Sequence, residues 1–187
     1  MKAYEKVALE SIIPYVDDVI ENAFCVDRKG NVLFYKKGTR DEVSFSLMEM
    51  ERMKGEFLIH NHPDFPHCFP RCLSDGDISF AKRKGLLGIS SVTRHEGYIE
   101  YARAIFADTE PKDINVFPTE LSSLRSELES FFNCGMLESV FTSQFKYHKR
   151  LAELYNFSYE YFRVNGLRLR KVSINTEITN IFEQTVR

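Results

Sequence analysis

Apolar positions near the start of the chain fall at Val7, Ala8, Ile12, Ile13 and Val16, close to the spacing that turns one face of a helix toward a core. The pattern predicts a helix over residues 3–20, kinked or restarted at Pro14, whose ring removes a backbone donor. Two apolar runs then flank Asp27-Arg28-Lys29-Gly30-Asn31, which is hairpin grammar. Val43-Ser44-Phe45 reads as a short strand, Met48 to Met53 as a helical turn ending near Gly55, and Glu56 to His60 as a short, apolar, buried strand. Residues 61–73 hold three prolines and predict an ordered but irregular loop. Ser74 is a good helix N-cap, and Asp75 and Asp77 in the first turn suit the positive end of the helix dipole. That helix is expected to reach about Lys84 and stop at Gly85. Leu87 to Thr93 and Tyr98 to Ile105 are β-rich runs joined by Arg94-His95-Glu96-Gly97, a second hairpin signal.

Residues 1–107 therefore alternate helices and strands, the order of an α/β layer around a mixed sheet. A polar connector, Asp108 to Asp113, follows. Beyond it Leu121, Leu124, Leu128 and Phe131 form one helical stripe, and Phe141, Phe145 and Leu151-Ala152 a second. Tyr159, Tyr161 and Val164 alternate as a strand does, and Leu167, Leu169 and Val172 continue the tendency. With the loose boundary near 108–117, we divide the chain into an α/β domain at 1–110 and a mostly helical extension at 111–187.

Composition narrows the picture only a little. A chain of 187 residues suits one domain, or one domain with a helical appendage. Its 43% hydrophobic and 28% charged residues are those of an ordinary globule, and a net charge of −2 gives no overall reason to expect a nucleic-acid partner. No run approaches the ~20 apolar residues that cross a bilayer, and the charged start is no secretory signal. Cys25, Cys68, Cys72 and Cys134 are too unevenly placed for a disulfide framework, so a cytoplasmic protein with reduced thiols is expected. Residues 142–171 hold seven Lys/Arg against two acids, with aromatics interleaved. Such a mixture suits nucleic acid or an acidic protein, but more often it is a solvated face beside an aromatic core.

The chemistry concentrates in FLIHNHPDFPHCFPRCLSDGDISFA, residues 57–81. His60 and His62 sit at the end of the apolar strand, where a backbone turn assisted by Pro63 is expected to bring both rings to one metal. Ser74 and Asp77 arrive on the next helix. Taken singly, each has an ordinary reading: a polar strand edge for the histidines, and for Ser74 and Asp77 something close to a capping box, with Asp in place of Glu/Gln. Together, two imidazoles and a carboxylate give three ligands of the type that leaves a zinc ion's fourth position to water.

This arrangement resembles the JAMM (MPN-plus) zinc metalloprotease family, whose signature is a distant Glu, then His-x-His-Pro, then Ser-x-x-Asp. The matching residues are His60-Asn61-His62-Pro63 and Ser74-Asp75-Gly76-Asp77, and the resemblance spans roughly residues 5–107. Eleven residues separate His62 from Ser74, four more than the family's usual seven, so residues 64–73 read as an enlarged loop, an insertion that is thermodynamically cheap. The resemblance implies an MPN-like, cytidine-deaminase-like mixed sheet flanked by helices. It implies Zn²⁺ on His60, His62 and Asp77, with Glu21 as general acid/base and Ser74 as oxyanion donor. Glu42 and Glu56 are rivals for the glutamate's part. Asn61 is assigned no catalytic role beyond orienting the turn. The implied activity is hydrolysis of a peptide or isopeptide bond in a protein or peptide substrate.

Three alternatives stay open. Cys68 and Cys72, with His60 or His62, could close a structural zinc site with no vacant position. A domain of this fold could act as a metal-free scaffold. The C-terminal helices could pair two copies of the chain as a homodimer, pack on the sheet or cover the groove. A zinc nucleobase deaminase is excluded, because it needs His-x-Glu and a later Pro-Cys-x-x-Cys; residue 62 is His, and Cys68 and Cys72 are wrongly spaced.

Overall fold

The computed structural model describes residues 1–63, 73–165, 168–174 and 181–185. Leu167 and residues 64–72, which carry His67, Cys68 and Cys72, lie outside them, so the structural-zinc alternative does too. Helix α1 (Ala3–Ile12) gives way to a single 3₁₀ turn at Ile13–Tyr15, as Pro14 requires. Strands β1 (Asn22–Val26) and β2 (Val32–Lys37) form the first hairpin. Helix α2 (Leu47–Arg52) and strand β3 (Phe57–Asn61) follow. Next come α3 (Asp75–Arg83) and the hairpin β4 (Gly88–His95) and β5 (Tyr98–Phe106). The chain continues with α4 (Ser122–Asn133), α5 (Leu137–Tyr155), β6 (Phe157–Asn165), β7 (Arg168–Ile174) and β8 (Ile181–Thr185).

The eight strands make one mixed sheet in the order β2-β1-β3-β4-β5-β6-β7-β8, parallel only between β3 and β4. Strand alternation divides the apolar residues between its two faces. Phe24, Phe57, Ile59, Val92, Tyr101 and Phe162 pack under α1, through Tyr4, Ala8, Leu9 and Ile12. Ala23, Leu58, Ile89, Ala102, Tyr159 and Tyr161 pack on the opposite face, against Ile78 and Ala81 of α3 and Phe141, Phe145 and Leu151 of α5.

Two expectations need correction. Residues 111–187 are not mostly helical, because β6, β7 and β8 extend the sheet, and β6 pairs with β5 from Ile99–Val164 to Phe106–Phe157. The boundary near 108–117 is thus a connector within a continuous sheet and core. Val43–Phe45 forms no strand; it is a loop segment with Val43 and Phe45 packed against the α3-side core. The basic residues of the C-terminal part are largely tied within the chain. Lys171 pairs with Glu160 at 2.6 Å, Lys149 donates to the Tyr159 carbonyl at 3.0 Å, and the Arg163 guanidinium lies over the Tyr98 ring at 4.7 Å. Among the described residues, no helix is long and apolar enough to cross a membrane.

Candidate metal centre

Parallel strands β3 and β4 are joined through α3, which brings the carboxyl end of β3 beside the N-terminus of α3, the usual place for a site in such a unit. His60 and His62 come from the strand, Ser74 and Asp77 from the helix. The histidines need no special turn. Residues two apart in a strand share a face, and the His62 N–H continues the ladder by donating to the Val92 carbonyl at 2.8 Å. The expected turn at Pro63 is therefore not what unites the rings.

The Nε2 atoms of His60 and His62 lie 2.8 Å apart. Asp77 Oδ1 is 3.3 Å from His60 Nε2, and Asp77 Oδ2 is 3.4 Å from His62 Nε2. Among the described residues this is the one group of three or more His, Cys, Asp or Glu whose ligand atoms all lie within 4.8 Å of one another. The His60 side chain is 5% exposed and that of Asp77 20%, so the site is closed beneath and open on one side. Burial opposes the Asp77 charge, but the His60 and His62 rings outweigh it and hold the carboxyl well below the usual carboxylate range.

Ser74 caps α3 and grips Asp77 together. Its Oγ accepts the Asp77 N–H at 3.0 Å and donates to Asp77 Oδ2 at 2.8 Å, and its own N–H donates to the same oxygen at 2.7 Å. Oδ2 thereby carries the capping bonds, leaving Oδ1 beside His60. An oxyanion role for Ser74 requires its hydroxyl hydrogen to turn away from Asp77.

Glu21 faces the same cavity, a space of about 400 Å³ that His60, His62, Ser74 and Asp77 also line. It is not a loose helix end. Its N–H donates to the Thr39 carbonyl at 2.7 Å and its carbonyl accepts from Gly38 N–H at 2.8 Å. Extending the β1–β3 register of Ala23 with His60 by two residues sets Glu21 opposite His62. Burial pushes the Glu21 carboxyl above its ordinary value; the two histidines pull it down, while Asp77 and Asp41 push it further up. Glu42 lines the cavity from its exposed rim, whereas Glu56 accepts from the Arg28 N–H at 3.0 Å and does not line it. The cavity's apolar wall includes Ala23, Phe45, Leu58 and Phe80.

Sequence reasoning missed one neighbour, His148, and gave another, Asn61, only a part in orienting the turn. His148 of α5 is fully buried, and its Nε2 meets Asp75 Oδ1 at 2.9 Å, across 73 positions of sequence. Asn61, between the histidines, bonds the chain on both sides of Glu21. Only the position of Asn61 between the two ligands offered a signal; nothing local flags His148.

The donor set suits zinc. With zinc–nitrogen bonds of about 2.0–2.1 Å, tetrahedral ligands stand about 3.3 Å apart. Each Asp77 oxygen already stands near that distance from one ring, Oδ1 from His60 and Oδ2 from His62, while the two imidazole nitrogens must separate. Comparison with family models, curated proteins and solved structures found no match to this chain.

Proposed function

We propose that the chain is a zinc-dependent hydrolase of the JAMM/MPN-plus type, cytoplasmic and with an MPN-like sheet, that cleaves a peptide or isopeptide amide in a protein or peptide. The observation that carries this reading is the convergence of two imidazoles and a carboxylate at a cavity also lined by Glu21 and Ser74. His60, His62 and Asp77 hold the metal. A zinc ion there supplies a Lewis acid that lowers the pKa of water to about 7 and neutralises charge developing on the carbonyl oxygen.

Glu21, lining the same cavity, takes the proton of the attacking water and delivers it to the departing amine. Ser74 turns its hydroxyl hydrogen toward the developing oxyanion, a contact whose loss typically costs about 10²–10³ in rate. Ala23, Phe45, Leu58 and Phe80 wall the cavity with apolar surface, which strengthens these charge interactions.

The test is zinc content together with hydrolysis of a panel of peptide and isopeptide substrates. We expect near one zinc per chain, kept in Glu21→Gln with cleavage lowered about 10²–10⁴-fold. Both zinc and cleavage disappear in His60→Ala/His62→Ala and persist in Cys68→Ser/Cys72→Ser. Loss of zinc from the cysteine variant would establish the structural site instead. A wild type that holds no zinc and cleaves nothing would leave the scaffold.

A further inference from the structure

Between the two histidines stands a fully buried asparagine whose side chain is engaged at both ends. Asn61 Oδ1 accepts the Asn22 N–H at 2.6 Å, and Asn61 Nδ2 donates to the Ile20 carbonyl at 3.0 Å. These two backbone groups bracket Glu21, one just before it and one just after.

Alternation explains how this is achieved. Glu21, His60 and His62 share the cavity face of the sheet, while Asn22 and Asn61 fall on the α1 face. The backbone ladder between β1 and β3 ends at Ala23 with His60. Where the next pair would form, the Asn61 carboxamide supplies acceptor and donor in place of the main chain. Asn22 adds to the bracket: its Nδ2 donates to Ile20 O at 3.2 Å and to Asp18 Oδ2 at 3.0 Å, and its Oδ1 accepts from the Tyr35 hydroxyl at 2.6 Å. Of the side chains near this size, only a planar carboxamide offers both a fixed acceptor and a fixed donor: Asp has no donor when ionised, and Ala has neither.

We infer that Asn61 is a positioning residue that sets the place of Glu21 relative to the metal ligands on its own strand. The inference rests on the reading of Glu21 as general base and acid. Asn61 touches no reacting atom; it acts through the Glu21 backbone. Because His60, Asn61 and His62 are consecutive, the segment that carries the two imidazoles also bonds the peptides on both sides of Glu21, whose own N–H and carbonyl are held by Thr39 and Gly38. A displacement of about 1 Å in such a group can cost about 10²-fold in rate.

The experiment compares Asn61→Ala and Asn61→Asp with wild type and Glu21→Gln, each as the full zinc-loaded chain. Zinc content, kcat, KM and amide hydrogen exchange are measured. We expect Asn61→Ala to keep near one zinc per chain and a KM close to wild type, with kcat lowered about 10–100-fold. The Asn22 amide should exchange faster while Val92, in the adjacent parallel strand, keeps its protection. Asn61→Asp, which retains the acceptor, should protect the Asn22 amide and lose less rate than Asn61→Ala. In the Glu21→Gln background, Asn61→Ala should add less than about threefold, since the two residues act as one unit.

Unchanged kcat in a folded, zinc-loaded Asn61→Ala overturns the inference, as does a full multiplicative loss on top of Glu21→Gln. If neither Asn61 variant folds, Asn61 belongs to the fold and the inference also falls. Full activity in Glu21→Gln is a different result: it removes the reading of Glu21 itself, and this inference with it.

Discussion

Zinc should stabilise the folded chain by an amount that His60, His62 and Asp77 control. The rings come from β3 and the carboxylate from α3, so the ion would cross-link a central strand to a helix packed on it. The donor atoms are already gathered: Asp77 Oδ1 lies 3.3 Å from His60 Nε2 and Asp77 Oδ2 3.4 Å from His62 Nε2, while the two imidazole nitrogens, 2.8 Å apart, must separate by about 0.5 Å to sit on a tetrahedral zinc. A ligand bound only by the folded state at a hundredfold excess over Kd adds about 2.7 kcal/mol, and each further decade adds about 1.4 kcal/mol. For a chain of this size 1 kcal/mol is worth about 2–4 °C in Tm, so the first figure corresponds to about 5–11 °C.

The assay is thermal unfolding of chelator-treated protein at buffered free zinc concentrations. Tm should rise by about 3–6 °C per decade of zinc once the site is saturated. Asp77→Asn should need a higher concentration for the same rise, and His60→Ala/His62→Ala should show almost none. Two results refute the reasoning: a Tm indifferent to zinc in the wild type, or an equal rise in the double histidine variant.

Replacing His148 by Ala removes a fully buried ring whose centroid is 5.0 Å from that of Tyr159, as well as the bond to Asp75, and should cost about 2–4 kcal/mol in urea unfolding. His148→Phe fills the space and removes the buried Nδ1 that has no hydrogen-bond partner, so it should stay within about 1 kcal/mol of wild type; equal damage by Phe and Ala would refute this. A β-carbon at Gly38 would run into the Glu42 carbonyl oxygen and come within 3.1 Å of that of Glu21, so Gly38→Ala should lose about 1–3 kcal/mol and slow hydrolysis by shifting Glu21; an unchanged Tm and kcat would refute it. The Ser46 backbone N–H, the Ser46 hydroxyl and the Lys36 ammonium hold the Glu49 carboxyl at about 2, below its ordinary 4.5. A depressed folded pKa means that its stabilisation is fully present above 4.5 and is lost as pH falls toward 2, so Glu49→Gln should flatten that stretch of the stability–pH curve. An unaltered slope there would rule out this account.

The parts legible in the sequence are those encoded by near neighbours. Phe57-Leu58-Ile59 announces a buried strand, Ser74 with Asp75 and Asp77 announces a helix start, and the site residues lie on those two elements. The rest depends on partners far along the chain. The alternation of Tyr159 and Tyr161 marks a strand, yet nothing local says that it pairs with Ala104 and Ala102 and so carries the sheet past the connector. Val43 and Phe45 have the composition of a strand, yet both line the cavity and pack against the α3-side core and pair with no strand among the described residues. Asn61 was visible as a residue between two ligands, but its bonding partners are 39 and 41 positions away. His148 meets Asp75 only because α5 is laid over the same face as α3.

The same long-range contacts bear on how a helix cap can also serve a candidate metal site. A capping box and a ligand carboxylate look like competing uses of Asp77, because each claims its oxygens. The geometry separates them. Oδ2 accepts both the Ser74 N–H and the Ser74 hydroxyl and so closes the first turn of α3, while Oδ1 stands 3.3 Å from His60. The cap therefore fixes the carboxylate's rotation, with Oδ1 toward His60 and Oδ2 toward His62. Asp75, two residues earlier in that turn, is held by His148 from the C-terminal half of the chain. The turn that presents Asp77 is thus secured by its own cap and by α5. This gives residues 111–165 a part in shaping the candidate site although none of them is in its His–His–Asp group: α5 holds the helix whose first turn supplies the carboxylate, while Asn61 bonds the chain on both sides of Glu21.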